Sequence, residues 1–94
     1  MKINNNETAI IGNWKFNGLN VIKDEQSQRI EKLIDDYLIL ISNDASGWDT
    51  LYQDPVDHRY WELIYPQSEI HGGGPPSLLF VSDIRAKEKY SIKS

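Results

Sequence analysis

Cysteine is absent, so the chain has neither a disulfide framework nor a thiolate metal site, and its fold does not depend on an oxidising compartment. No segment approaches the ~20 apolar residues of a membrane span, and the opening MKINNNETAI lacks the apolar run of a signal peptide. These absences lead us to expect a cytoplasmic protein with no membrane partner. Bases are almost missing from the middle: between Leu33 and Ile84, Arg59 stands alone against nine acids. Phosphate neutralisation needs clustered Lys and Arg, so this composition argues against nucleic acid as a partner. No G-x-S-x-G motif is present, which leaves no signature for a serine nucleophile. The triplet Gly72-Gly73-Gly74 is not followed by Gly-Lys-Ser or Gly-Lys-Thr, and Pro75 and Pro76 each remove an amide that a phosphate cradle would use.

What remains is a soluble composition. A hydrophobic content of 39% is too high for a disordered chain, and 94 residues suffice for one domain with a modest core. The acids are distributed unevenly. Residues 1–32 carry five bases and four acids, and residues 85–94 carry four bases and one acid, so the overall charge of −4 conceals a strongly negative middle. Such a surface would attract a basic protein and speed its approach.

Periodicity places the elements. Ile10 to Phe16 alternates as a first strand, with Asn17 and Gly18 turning the chain. From Asp24 to Ser42, Ile30, Leu33, Ile34, Tyr37, Leu38 and Ile41 recur at helical offsets and form one apolar face. Asp24 and Glu25 suit its start, and Asn43 and Asp44 its exit. Ile39 falls opposite the stripe and reads as a lone exposed apolar residue on that helix. Two strands, Trp48 to Gln53 and Arg59 to Tyr65, flank a loop from Asp54 to His58 whose Pro and Asp content suits a hairpin. Leu78 to Val81 makes a fourth strand, and Asp83 caps a short basic helix ending at Tyr90. The fold expected is α+β: a four-stranded, mostly antiparallel sheet, one long helix on one face, a short C-terminal helix, and the Gly72 to Pro76 loop at an edge.

Candidate chemistry is sparse. His58 and His71 lie in separate loops without paired-ligand spacing, so no metal, cofactor or catalytic residue is assigned. Gly72, Gly73 and Gly74 permit positive φ, and Pro75 and Pro76 then impose an extended entry to the next strand; all five shape the loop. On the second hairpin strand, Trp61 and Tyr65 face the helix as core, whereas Tyr52 and Tyr60 suit half-buried contact positions. The binding residues expected are Asp49, Tyr52, Asp54, Asp57, Tyr60, Glu62, Glu69 and His71.

One set of strings resembles a known family. Ser46-Gly47-Trp48, Leu51-Tyr52, Asp54-Pro55, Arg59, Trp61-Glu62, Tyr65-Pro66, and His71 with Gly72 through Leu78 resemble the Immunity protein 27 family of bacterial polymorphic toxin systems. The likeness runs from about Gly12 to Tyr90, including Gly12-x-Trp14 and Arg29-Ile30, and departs at His58, where a tight turn calls for Gly. It implies a single immunity-protein-like domain, residues 1–94: a cytoplasmic antidote, not an enzyme, encoded beside a toxin that it binds and blocks. It carries over no toxin-contacting residue. Acidity suggests that the partner is a basic toxin domain, such as a nuclease, covered at its phosphate-holding site. Two alternatives stay open: a small hydrolase-like enzyme using His58 or His71 with a nearby carboxylate, and a self-associating module built on Ile39 and Leu78 to Val81.

Overall fold

In the computed structural model, which describes residues 2–16, 18–66 and 74–92, Asp24 accepts the Ser27 amide at 2.8 Å and caps helix α1, Glu25–Asp36. Ile30 and Leu33 on its apolar face are fully buried. The helix ends well before Ser42. Tyr37 and Leu38 both donate their amides to the Leu33 carbonyl, closing the last turn, and Ile39–Asn43 continues as a strand. The residues Ile39-Leu40-Ile41 satisfy a helical stripe only in part, because Ile39 points away from it. As a strand rich in β-branched side chains they gain a pairing partner in Thr50–Gln53. Ile39 is indeed exposed, but on a sheet edge and not on a helix.

Seven strands are formed among the described residues: β1 (Ala9–Ile11), β2 (Trp14–Phe16), β3 (Val21–Lys23), β4 (Ile39–Asn43), β5 (Thr50–Gln53), β6 (Tyr60–Ile64) and β7 (Ser77–Val81), followed by helix α2 (Asp83–Tyr90). The main sheet has five strands, not four, in the order β1-β7-β6-β5-β4 and antiparallel throughout; β2 and β3 pair separately. The strand expected from Ile10 to Phe16 therefore breaks in two. Gly12 donates its amide to the Pro76 carbonyl at 2.9 Å, while Asn13 donates to the Asp24 carboxylate and accepts from the Asp24 amide, so the chain leaves one sheet and enters the other. The described part of the glycine-proline loop, residues 74–76, leads into β7, an interior strand, so it does not sit at the sheet edge as expected.

Strand alternation sends the two faces of the sheet to different helices. Trp61 and Leu63 of β6, with Ile10, Leu78 and Ile3, pack against Ile30, Leu33 and Leu38. The opposite face places Leu51 against Ala86 and Tyr90 of α2, with Ile41, Tyr60 and Val81 around them. Ser82, not Asp83, caps α2, accepting the Arg85 amide, and Asp83 occupies the first turn, where a carboxylate favours the helix dipole. The polar N-terminal lead is ordered by arginines: Arg29 grips both oxygens of Glu7 at 2.7 Å, and Arg59 donates to the carbonyls of Glu7 and Asn4. Arg59 also stacks 4.9 Å above the Trp61 ring, itself edge-on to Phe80. No helix among the described residues is long and apolar enough to cross a membrane.

Candidate functional site

The six nominated binding residues that the structure describes do not gather on one surface. Asp49 and Asp54 lie at opposite ends of β5, and Glu69 and His71, with Gly72 and Gly73, fall outside the described residues. Asp54 is 1% exposed. Its Oδ1 accepts from the Tyr37 hydroxyl at 2.7 Å and from the amides of Val56 at 2.8 Å and Asp57 at 3.3 Å, so it builds the β5–β6 loop from within. Asp57 is clamped by Arg59, through its amide at 3.0 Å and Nε at 2.7 Å. Burial works to raise the Asp57 pKa, but these Arg59 bonds outweigh it and hold the carboxyl below its ordinary range. The same loop carries His58 at φ 66°, the left-handed backbone for which a tight turn favours glycine.

Glu62 is buried on the α2 face, 3.1 Å from the Tyr90 hydroxyl and 3.1 Å from Lys89 Nζ, which also reaches Asp49 at 2.8 Å. This cluster ties α2 to the sheet. Burial first, then the Glu62 charge and hydrogen bond, push the Tyr90 hydroxyl up in pKa. Sequence reasoning missed Lys89, which lies 40 residues from Asp49; the only trace was the basic C-terminal stretch set against an acidic middle. Tyr60 is half-buried beside Leu51, and Tyr52 half-buried beside the α1 core. Gly74 takes φ 55°, as a loop-shaping glycine should.

Folding thus neutralises much of the acidity. Asp49 and Glu62 share Lys89, Asp57 has Arg59, and Asp44 is occupied in its own turn by Ser46 and Gly47. Asp35 and Asp36 differ. They stand exposed in the last turn of α1, which holds no base, and make no ion pair among the described residues. Carboxylates at the negative end of a helix dipole cost about 0.3–1 kcal/mol each, so helix stability does not explain them. Beside them β4 exposes Ile39 (48%) and Leu40 (61%), and Leu40 pairs across the ladder with Tyr52. Burial, then Tyr65 and the Asp35 charge, raise the Tyr52 pKa, so this acid lies within electrostatic reach of the ring hydroxyl.

No group of three His, Cys, Asp or Glu among the described residues could hold a metal. A cavity between Trp14, Ile30, Ile34, Leu63, Tyr65 and Pro76 measures 160 Å³, below the ~300–1,000 Å³ of small-molecule sites, and an open 530 Å³ hollow over Asn4, Asn5 and Asn6 is lined by those three residues alone among those described. Compared with curated proteins and with solved structures, the chain finds no match. The family described as Immunity protein 27 matches residues 16–82, well over half of the chain, from β2 through β7 to the α2 cap. The chain belongs to the Immunity protein 27 family.

Proposed function

We propose that this protein is a non-catalytic antidote of a bacterial polymorphic toxin system, acting in the cytoplasm by covering a basic, nuclease-like active site on its cognate toxin. Membership of an immunity family supports a toxin as the partner. One observation carries the finer reading: Asp35 and Asp36, two carboxylates without an ion pair among the described residues, adjoin the exposed Ile39 and Leu40 and the half-buried Tyr52. A nuclease site is basic because it holds phosphate, and a negative, partly apolar surface competes for the same groups. Of the nominated residues, Tyr52 remains a candidate anchor there, and Asp57 and Tyr60 contribute at other faces. Asp54 and Glu62, being buried, act through the scaffold.

The test is inhibition of the toxin domain encoded beside the gene, assayed on labelled RNA and DNA. The reading expects nuclease activity that the purified chain abolishes, competitively with substrate, and an association rate that falls as salt rises. A toxin without nuclease activity, or inhibition untouched by excess substrate, would overturn the active-site assignment.

A further inference from the structure

We propose that β4 is a docking edge, on which an extended, basic segment of the cognate toxin adds as a further strand with its Lys or Arg side chains reaching Asp35 and Asp36. This rests on the reading of the chain as a toxin-binding antidote.

The sheet order ends at β4, which pairs only with β5, so the outward row of N–H and C=O groups along Ile39–Asn43 has no ladder partner among the described residues. Natural proteins blunt such an edge with Lys, Pro or inward-pointing charge, because an open edge templates pairing with another chain. The β4 sequence Ile-Leu-Ile-Ser-Asn has none of these; of the devices that protect an edge it carries only a bulge between Leu40 and Ser42, which leaves Ile39 and Leu40 exposed. The opposite edge, β1, offers three residues against the five of β4. Strand addition draws affinity from main-chain bonds and specificity from flanking side chains, which here are Ile39, Leu40 and Tyr52.

Charge selects the occupant. Asp35 and Asp36 lie directly upstream of the edge, and the last-turn carbonyls of α1 add their partial negative charge to the same place. Lys32, one turn earlier, makes no ion pair with either acid. A second copy of the chain fits poorly. Antiparallel pairing of two β4 strands would bring the Asp35–Asp36 end of each copy against the Asp44 end of the other, acid upon acid.

The experiment follows amide hydrogen exchange of residues 39–43 in the complete chain, with and without the neighbouring toxin domain, and measures Kd for variants. Protection of these amides on binding is expected. Leu40→Lys should weaken binding at least tenfold, Asp35→Lys with Asp36→Lys should weaken it and flatten its salt dependence, and Asp83→Lys should change it less than twofold. Leu40 is exposed, so its variant should keep the urea midpoint; should it unfold, the exchange data on the unaltered chain still decide. Tight binding with exchange at 39–43 unchanged would overturn the docking edge and leave toxin binding intact. Failure to bind the toxin would sink the antidote reading and this inference with it. Protection that grows with protein concentration and needs no toxin would assign the edge to a second copy and overturn the basic-strand occupant.

Discussion

The Tyr37 hydroxyl donates a 2.7 Å hydrogen bond to the Asp54 carboxylate, joining the C-cap of α1 to the loop between β5 and β6. Asp54 Oδ1 takes this bond and two loop amides, whereas buried Oδ2 has no partner among the described residues. The carboxylate therefore relies on few donors. Tyr37→Phe should destabilise the protein by about 1–3 kcal/mol, the cost of under-satisfying a buried charged acceptor, read from urea midpoints. Burial, then the Asp54 bond, push the Tyr37 hydroxyl up to about 12 from 10.0. A group whose pKa is raised on folding contributes stability that is present below its unfolded value and lost as pH climbs through the folded one. The wild type should accordingly lose stability between pH 10 and 12, and Tyr37→Phe should lose less over that window, as ultraviolet titration alongside denaturation would show.

The same residue shows what the sequence made legible and what it did not. Tyr37 fits the helical stripe that begins at Ile30, and the start of α1 at Asp24 follows from local capping chemistry alone. Where α1 ends is decided by pairing of β4 with β5, a contact the 3.6-residue period cannot register, so periodicity alone extends the helix through β4 and leaves a four-stranded sheet. The hairpin strands and the buried Trp61 are readable from alternation and turn chemistry, and the glycine-like backbone at His58 from the point where the family resemblance departs. The acids were readable only as a count. Which of them folding neutralises depends on Lys89 arriving from α2 and on Arg59 turning back onto Asp57 in its own loop, and that separates Asp49, Asp57 and Glu62 from Asp35 and Asp36.

Among the described residues, Lys89 is the base that faces buried Glu62. Glu62 lies at 5% exposure with Lys89 and Tyr90 as its polar partners, so Lys89→Ala leaves a desolvated charge facing Asp49 and the Tyr90 hydroxyl. We expect a loss of about 2–4 kcal/mol, on the lower side of fully buried pairs because Lys89 retains some solvent. Glu62→Gln keeps the hydrogen-bonding shape without the charge and should cost less. If both variants unfold with the wild-type midpoint, the cluster does not hold α2 to the sheet.

Acid sensitivity should come in part from the N-terminal lead. The Arg29 hydrogen bonds, opposed by burial and assisted by the Asn4 amide and the charges of Arg29 and Arg59, hold the Glu7 carboxyl at about 2 against an ordinary 4.5. A depressed carboxylate contributes stability above its unfolded pKa and loses it as pH falls through the folded one. The contribution is thus whole above pH 4.5 and fades towards pH 2. Glu7→Gln should cost about 1–3 kcal/mol at neutral pH, as for hydrogen bonds to a charged group, and should show a shallower decline between pH 4.5 and 2 in urea titrations.

The junction between the two sheets depends on a missing side chain. A Cβ at Gly12 would lie 2.4 Å from the Pro76 carbonyl oxygen and 2.5 Å from Ser27 Oγ. Ser27 could rotate, but the Pro76 carbonyl is fixed by the Gly12 amide and by the Ile11–Ser77 pairing just beyond it. Gly12→Ala should therefore displace backbone, costing about 1–3 kcal/mol as overpacked sites do. Gly47→Ala supplies the contrast: φ there is 80° with open space around the added carbon, so only the left-handed backbone opposes it, at about 1 kcal/mol. Thermal or urea unfolding separates the two mechanisms, because Gly12→Ala should also loosen amide protection in β1 and at the start of β7, whereas Gly47→Ala should leave both untouched. Equal, global effects from the two variants would show that the close approach of Gly12 to Pro76 does not anchor β1.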